Sequence, residues 1–140
     1  MPFWHHMDID MSHWSATYLH LPWTDETCCG HYFILIQKEV FGRNIKGLGG
    51  ISGALPAARI MAAILAEGEG YGYKKTEVPH DGDAVFLSQR NRPHHIGTVA
   101  MINGIFHVVH ALENCGVIVS DHMDLNFNFW KIAGFWTWKQ

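Results

Sequence analysis

The sequence predicts an α+β fold, with helices first and an antiparallel sheet after them, on three observations. Apolar residues in the first half recur at helical spacing. The second half breaks into short β-branched and aromatic runs divided by turn residues. A chain of 140 residues, 48% apolar and 16% charged, is long and apolar enough for one compact core. No repeat, low-complexity tract or linker divides it, so residues 1–140 read as a single domain.

Asp8 to Leu19 reads as the first helix, with Trp14, Tyr18 and Leu19 inward, and Leu21-Pro22 breaks it. Trp23 to Thr27 is a loop. The second helix runs from about Cys28 to Phe41, because Ile34, Leu35 and Phe41 recur at helical spacing, while Thr27 can cap its start and Gly42 its end. The glycine-rich stretch Gly42 to Gly53 is a loop. Ser52 and Pro56 mark the start of a third helix that runs through Ala66 and ends in Gly68 to Gly72. Strands follow at Thr76 to Val78, Ala84 to Ser88, Ile96 to Ile102, Phe106 to Ala111 and Val117 to Ser120, with turns such as Asn103-Gly104 between them. An antiparallel meander is the natural topology, and the aromatic tail from Phe127 to Trp138 supplies a closing strand.

Composition narrows the function. A formal charge of -3, with 10 Lys plus Arg and no basic run, gives no footprint for nucleic acid or an anionic membrane surface. No apolar stretch is long enough to span a bilayer, and the start has no basic and apolar signal pattern, so delivery to an extracellular target is expected by another route. Three cysteines are an odd number in a domain that needs no staples, which points to free thiols and a reduced compartment during folding.

The chemistry centres on a thiol at a helix start. There the unpaired N–H groups and the helix dipole favour a thiolate, and the same amides can hold an oxyanion. Cys28 has that position. A cysteine nucleophile also needs an imidazole, and the strands offer His94, His95, His107 and His110. Strand alternation permits one of each pair: His94 and His95 point to opposite faces, as do His107 and His110.

At these residues the chain resembles the NlpC family of papain-like cell-wall cysteine peptidases. Tyr18-Leu19-His20-Leu21-Pro22-Trp23 followed by Cys28-Cys29-Gly30-His31-Tyr32 is similar to the family's Y-x-G-x-P-Y/W segment and its D-C-x-G-F/L at the head of a helix. Asp81-Gly82-Asp83-Ala84-Val85-Phe86-Leu87 resembles P-G-D-L/A-V-x-F, and His95-Ile96-Gly97 resembles H-V/I-G. Val109-His110-Ala111, then Gly116-Val117-Ile118-Val119-Ser120, resembles I/V-H-A and G-V-x-x-S. The likeness runs from about Trp14 to Trp136. It implies a papain-like NlpC-type fold, N-terminal helices packed on a central antiparallel sheet, with Cys28 as nucleophile, His95 as base and His110 orienting it.

The resemblance further implies hydrolysis of a peptidoglycan stem peptide next to a D-amino acid, with no cofactor or metal. The form of the opening and the long first half are most like versions found in tailed-phage tail modules, which implies a virion tail-tip component among other tail proteins. Two alternatives are a structural tail-tip subunit with a degenerate peptidase fold and a secreted antibacterial effector amidase. Three positions depart from the family pattern. Thr27 stands where Asp is usual, His20 where Gly is usual, and Trp23 where a Tyr often helps hold the oxyanion; Trp23 can still donate through its indole N–H. Trp23 and Cys29 are assigned to oxyanion or substrate support. Cys29 also lies about 100° round the helix from Cys28, where packing is the plainer role. A metal site on Cys28, Cys29, His107 and His110 is the chemical rival, but adjacent cysteines do not readily share one tetrahedral ion. Cys115, His31, His80, His94 and His107 read as structural or surface residues, and the aromatic tail as core with some assembly surface.

Overall fold

The computed structural model describes residues 12–45, 56–66 and 72–139. The fold is α+β: one six-stranded antiparallel sheet and, among the described residues, three α-helices. A 3-10 helix at Trp14–Tyr18 leads into α1 (Cys29–Glu39) and α2 (Ala57–Ala66). The strands are β1 (Tyr73–Thr76), β2 (Ala84–Gln89), β3 (Arg92–Ile102), β4 (Ile105–Leu112), β5 (Gly116–Ser120) and β6 (Lys131–Trp138). Helix α3 (His122–Phe127) lies between β5 and β6.

The first helix is shorter than predicted. The His13 ring accepts the Ser15 N–H and starts a single 3-10 segment at Trp14, among serines and threonine that favour helix weakly. Tyr18 is buried, as its spacing predicts, while Trp14 and Leu19 are half-covered. Residues 8–11 of the predicted helix lie outside the described residues, as do residues 46–53 of the predicted loop, Ser52 among them, and residues 68–71 of the predicted end of the third helix.

Helix α1 begins one residue later than expected, with Cys28 as its N-cap and Thr27 outside it. Thr27 does not cap. Its hydroxyl donates to the Pro22 carbonyl and shares a 2.7 Å contact with the Thr24 hydroxyl, closing the preceding loop on itself. The predicted inward residues Ile34 and Leu35 are half-buried; the deepest face is Tyr32, Phe33, Ile36 and Gln37. Gln37 is buried with partners on both ends of its amide: Nε2 donates to the Gly82 carbonyl, and Oε1 accepts from Tyr73 and Arg43.

Strands β2 to β5 form the predicted meander, but the sheet order is β1-β6-β2-β3-β4-β5. The tail strand is therefore not a closing edge. It inserts between β1 and β2, pairing Trp136 with both Lys75 and Ala84. The first strand falls at Tyr73–Thr76 rather than Thr76 to Val78: Tyr73 is buried and pairs with Trp138, while Val78 is exposed. A helix not predicted, α3, precedes the tail and includes only its first residue, Phe127; Asp121 and Asp124 start it with a capping box, and the strand begins at Lys131.

The sheet is covered differently on its two faces. On one, Ala84, Phe86 and Ile96 pack with Phe33 of α1 and with Ile60 and Ile64 of α2. On the other, Val85, Leu87, Val99 and Val108 pack with Leu125 of α3 and with Trp130. Asp81 ties the N-terminal segment to the sheet, accepting from the Trp14 indole, the His13 ring and the Met101 amide.

Candidate active site

Alternation along β3 and β4 separates the histidines. Ile96 points to the helices, so His95 points to the other face, where its ring stacks on Trp130 at 4.4 Å and 21°. His110 lies on that same face, and His95 Nε2 stands 2.8 Å from His110 Nδ1. His110 Nε2 in turn stands 2.9 Å from the Ser120 hydroxyl, one strand over. Gly97 makes room for this pair: a Cβ there would meet Val108 Cγ1 at 2.6 Å, the Val109 carbonyl at 2.9 Å and His110 Cβ at 3.2 Å. His107 occupies the opposite side of β4, with Nδ1 2.8 Å from the Ile105 carbonyl oxygen.

His95 and His110 are thus brought into contact, and Cys28 shares a cavity with His95 at the end of the sheet. A cavity of about 280 Å³ lies where β3 begins and β4 ends, under the starts of α1 and α2. Cys28, Cys29, Trp23 and His95 line it, together with Arg92 and Glu113. His110 is behind His95 rather than in the cavity, the place of a residue that acts through another. His94 lines the cavity too but is exposed, as the first residues of β3 emerge from the sheet.

The electrostatics assign different properties to the two thiols and hold both rings uncharged. Burial pushes the Cys29 thiol up to about 11, although the Ile96 backbone opposes this with a hydrogen bond. Cys29 is half-buried: it lines the cavity and also packs on the two clusters of core residues that α1 divides. Burial, then the charges of His110 and Arg92, hold His95 well below the usual imidazole range. Burial alone lowers His110 to about 4. With both rings neutral, two sets of tautomers satisfy the chain, and in one of them His95 Nε2–H donates to His110 Nδ1 while His110 Nε2–H donates to Ser120 Oγ. That set leaves a lone pair on His95 Nδ1, which is what a base needs.

The first-turn amides of α1 have no acceptor four residues back, and those of Cys29 and Gly30 bond to the Cys29 sulfur, which itself lines the cavity. Trp23 lines that cavity and packs on the core cluster of Tyr18 and Tyr32. The segment before it is fixed to the sheet: the His20 N–H donates to the Val117 carbonyl, and the Val117 N–H to the Leu21 carbonyl. His20 holds φ +68, a left-handed conformation that glycine adopts at no steric cost. Gly116 opposite has φ +77, and a Cβ on it would meet the Leu21 carbonyl oxygen at 2.5 Å.

Four residues of this site escape sequence reasoning about candidates. Ser120 sits inside the G-V-I-V-S block, and a polar residue at the end of an apolar strand is the signal that would have found it. Trp130 reads as core, and its stacking on His95 is a tertiary fact. Arg92 and Glu113 are ordinary charges until the fold brings them to 3.6 Å from each other. Among the described residues no three His, Cys, Asp or Glu side chains converge as a metal ion would require.

In comparisons with known proteins, no family model, no curated protein and no solved structure matches this chain.

Proposed function

We propose that this chain is a cysteine hydrolase of the NlpC type, acting on amide bonds of peptidoglycan stem peptides. One observation carries the reading: the N-cap cysteine of α1 and the His95–His110–Ser120 chain meet at a single cavity. In the mechanism, His95 Nδ1 takes the Cys28 proton as the sulfur attacks the substrate carbonyl, and helix-start N–H groups hold the oxyanion. His95 then gives that proton to the leaving amine, and water repeats the cycle on the thioester. His110 fixes the tautomer of His95, with its own ring held by Ser120. Because His95 is kept neutral, its ring waits as a free base rather than as an imidazolium.

The test is turnover of purified sacculi or of isolated stem peptides. Wild type should release new amino termini, and Cys28→Ala should release none. Inert wild-type protein that is well folded and bound to the substrate would overturn the reading.

Delivery in a phage tail tip fits the exposed apolar side chains on and after α3: Met123, Phe127 and Phe129 are about four-fifths open, which is the character of an assembly surface. The same patch favours the second reading, a structural tail-tip subunit that keeps the fold without turnover. Incorporation into particles by an inactive wild type would support it.

A further inference from the structure

We propose that the cavity selects a zwitterionic amino-acid centre, with Arg92 taking its carboxylate and Glu113 its ammonium group. Both side chains line the cavity that holds Cys28 and His95. Arg92 opens β3 three residues before His95, and Glu113 follows β4 three residues after His110, so the strands that carry the histidine pair also fix the two charges.

Their mutual contact is weak. Arg92 Nη2 and Glu113 Oε1 are 3.6 Å apart, beyond good hydrogen-bond distance, with the side chains 47% and 53% exposed. Such open pairs contribute little to stability, so a ligand can separate them. The two charges balance, which decides the ligand class. A site for an anion would present the guanidinium alone, whereas here a purely anionic ligand displaces Glu113 and leaves its carboxylate facing the bound negative charge. A ligand carrying both groups replaces one loose contact with two, and the guanidinium fork suits a carboxylate. The depressing effect of Arg92 on His95 places the guanidinium within electrical reach of the base. At about 280 Å³ the cavity is near the lower end of ligand pockets, sized for one residue and not for a long peptide.

The link to catalysis rests on the hydrolase reading, so the test reads binding separately from turnover. The probe is γ-glutamylalanine amide, whose glutamyl α-carbon carries a free carboxylate and ammonium near an amide bond. Three capped forms accompany it: α-carboxylate amidated, α-amine acetylated, and both. Calorimetric titration of full-length Cys28→Ala should find the zwitterion binding at least about tenfold tighter than any capped form, ~1.4 kcal/mol. Adding Arg92→Gln should erase the difference between carboxylate and amide, and adding Glu113→Gln the difference between ammonium and acetyl. Melting temperatures of both variants should stay at the parent value. Equal affinities across the four peptides, no binding of the zwitterion, or unchanged discrimination in the variants would overturn the proposal. Binding as described without cleavage by wild type would instead overturn the hydrolase reading and leave this one standing.

Discussion

Acidification from pH 7.5 to 5.5 should destabilise this protein more steeply than its exposed histidines would. His95 and His110 are 4% and 2% exposed and are held neutral in the folded state, mainly by burial. In the unfolded chain an imidazole titrates near 6.5. Their folded values lie below the unfolded one, so their contribution is fully present above about pH 6.5 and is lost as pH falls, because only the unfolded state then binds the protons. Each ring loses about 1.4 kcal/mol per pH unit below 6.5. At pH 5.5 the two together amount to roughly 3 kcal/mol, a large share of the ~5–15 kcal/mol typical of a domain. The loss from His110 levels off near pH 4, where the folded ring also takes a proton. Urea unfolding followed by tryptophan fluorescence at constant ionic strength, at pH 7.5, 6.5 and 5.5, measures it. The His95→Gln/His110→Gln double variant supplies the control, and its curve should be much flatter over the same window. A wild-type stability that does not change between pH 6.5 and 5.5, or a double variant that keeps the full slope, would refute the reasoning.

Three substitutions probe the same architecture. Gly97→Ala forces a Cβ to within 2.9 Å of the Val109 carbonyl, a backbone atom that cannot swing away, and should lower stability by ~2–4 kcal/mol, read as a melting shift on the order of 10 °C. Ser120→Ala leaves His110 Nε2 buried without its partner and should cost ~1–3 kcal/mol together with a fall in kcat, while Ser120→Thr, which keeps the hydroxyl, should retain most activity. Trp130→Ala removes the ring under His95 and should cost ~3–5 kcal/mol by thermal melting, whereas Trp130→Phe keeps an aromatic face there and should preserve turnover far better.

Local signals proved legible where they were strong, and tertiary pairing was not. The runs from Ala84 to Ser120 appear as strands in the expected order because alternation and turn residues such as Asn103-Gly104 act within a few residues. The place of β6 between β1 and β2 depends on which partners Trp136 and Phe135 find across the sheet, information absent from their own segment. Helix α3 was missed because its start is marked by Asp121 and Asp124 rather than by a long periodic run. In the site, strand parity correctly sets His107 and His110 apart but does not say which face lies under α1. Ile96, not His95, packs against the helices, and the thiol and the base meet at the rim of the sheet.

The departures at the start of α1 bear on which thiol reacts. Thr27 spends its hydroxyl on Pro22 and Thr24, and the Cys28 side chain makes no capping bond, so neither side chain satisfies the amides of the first turn. Of those amides, the Cys29 and Gly30 N–H groups lie in hydrogen-bonding reach of the Cys29 sulfur. Both adjacent thiols are half-buried and line the cavity, but Cys29 also packs on both core clusters and burial pushes its thiol up to about 11. On the proposed hydrolase reading, a neutral His95 makes reactivity depend on a base that can take the Cys28 proton when substrate arrives. On that reading, whatever holds the His95 ring in place, Trp130 on its face and His110 at its Nε2, governs turnover as directly as the thiol does.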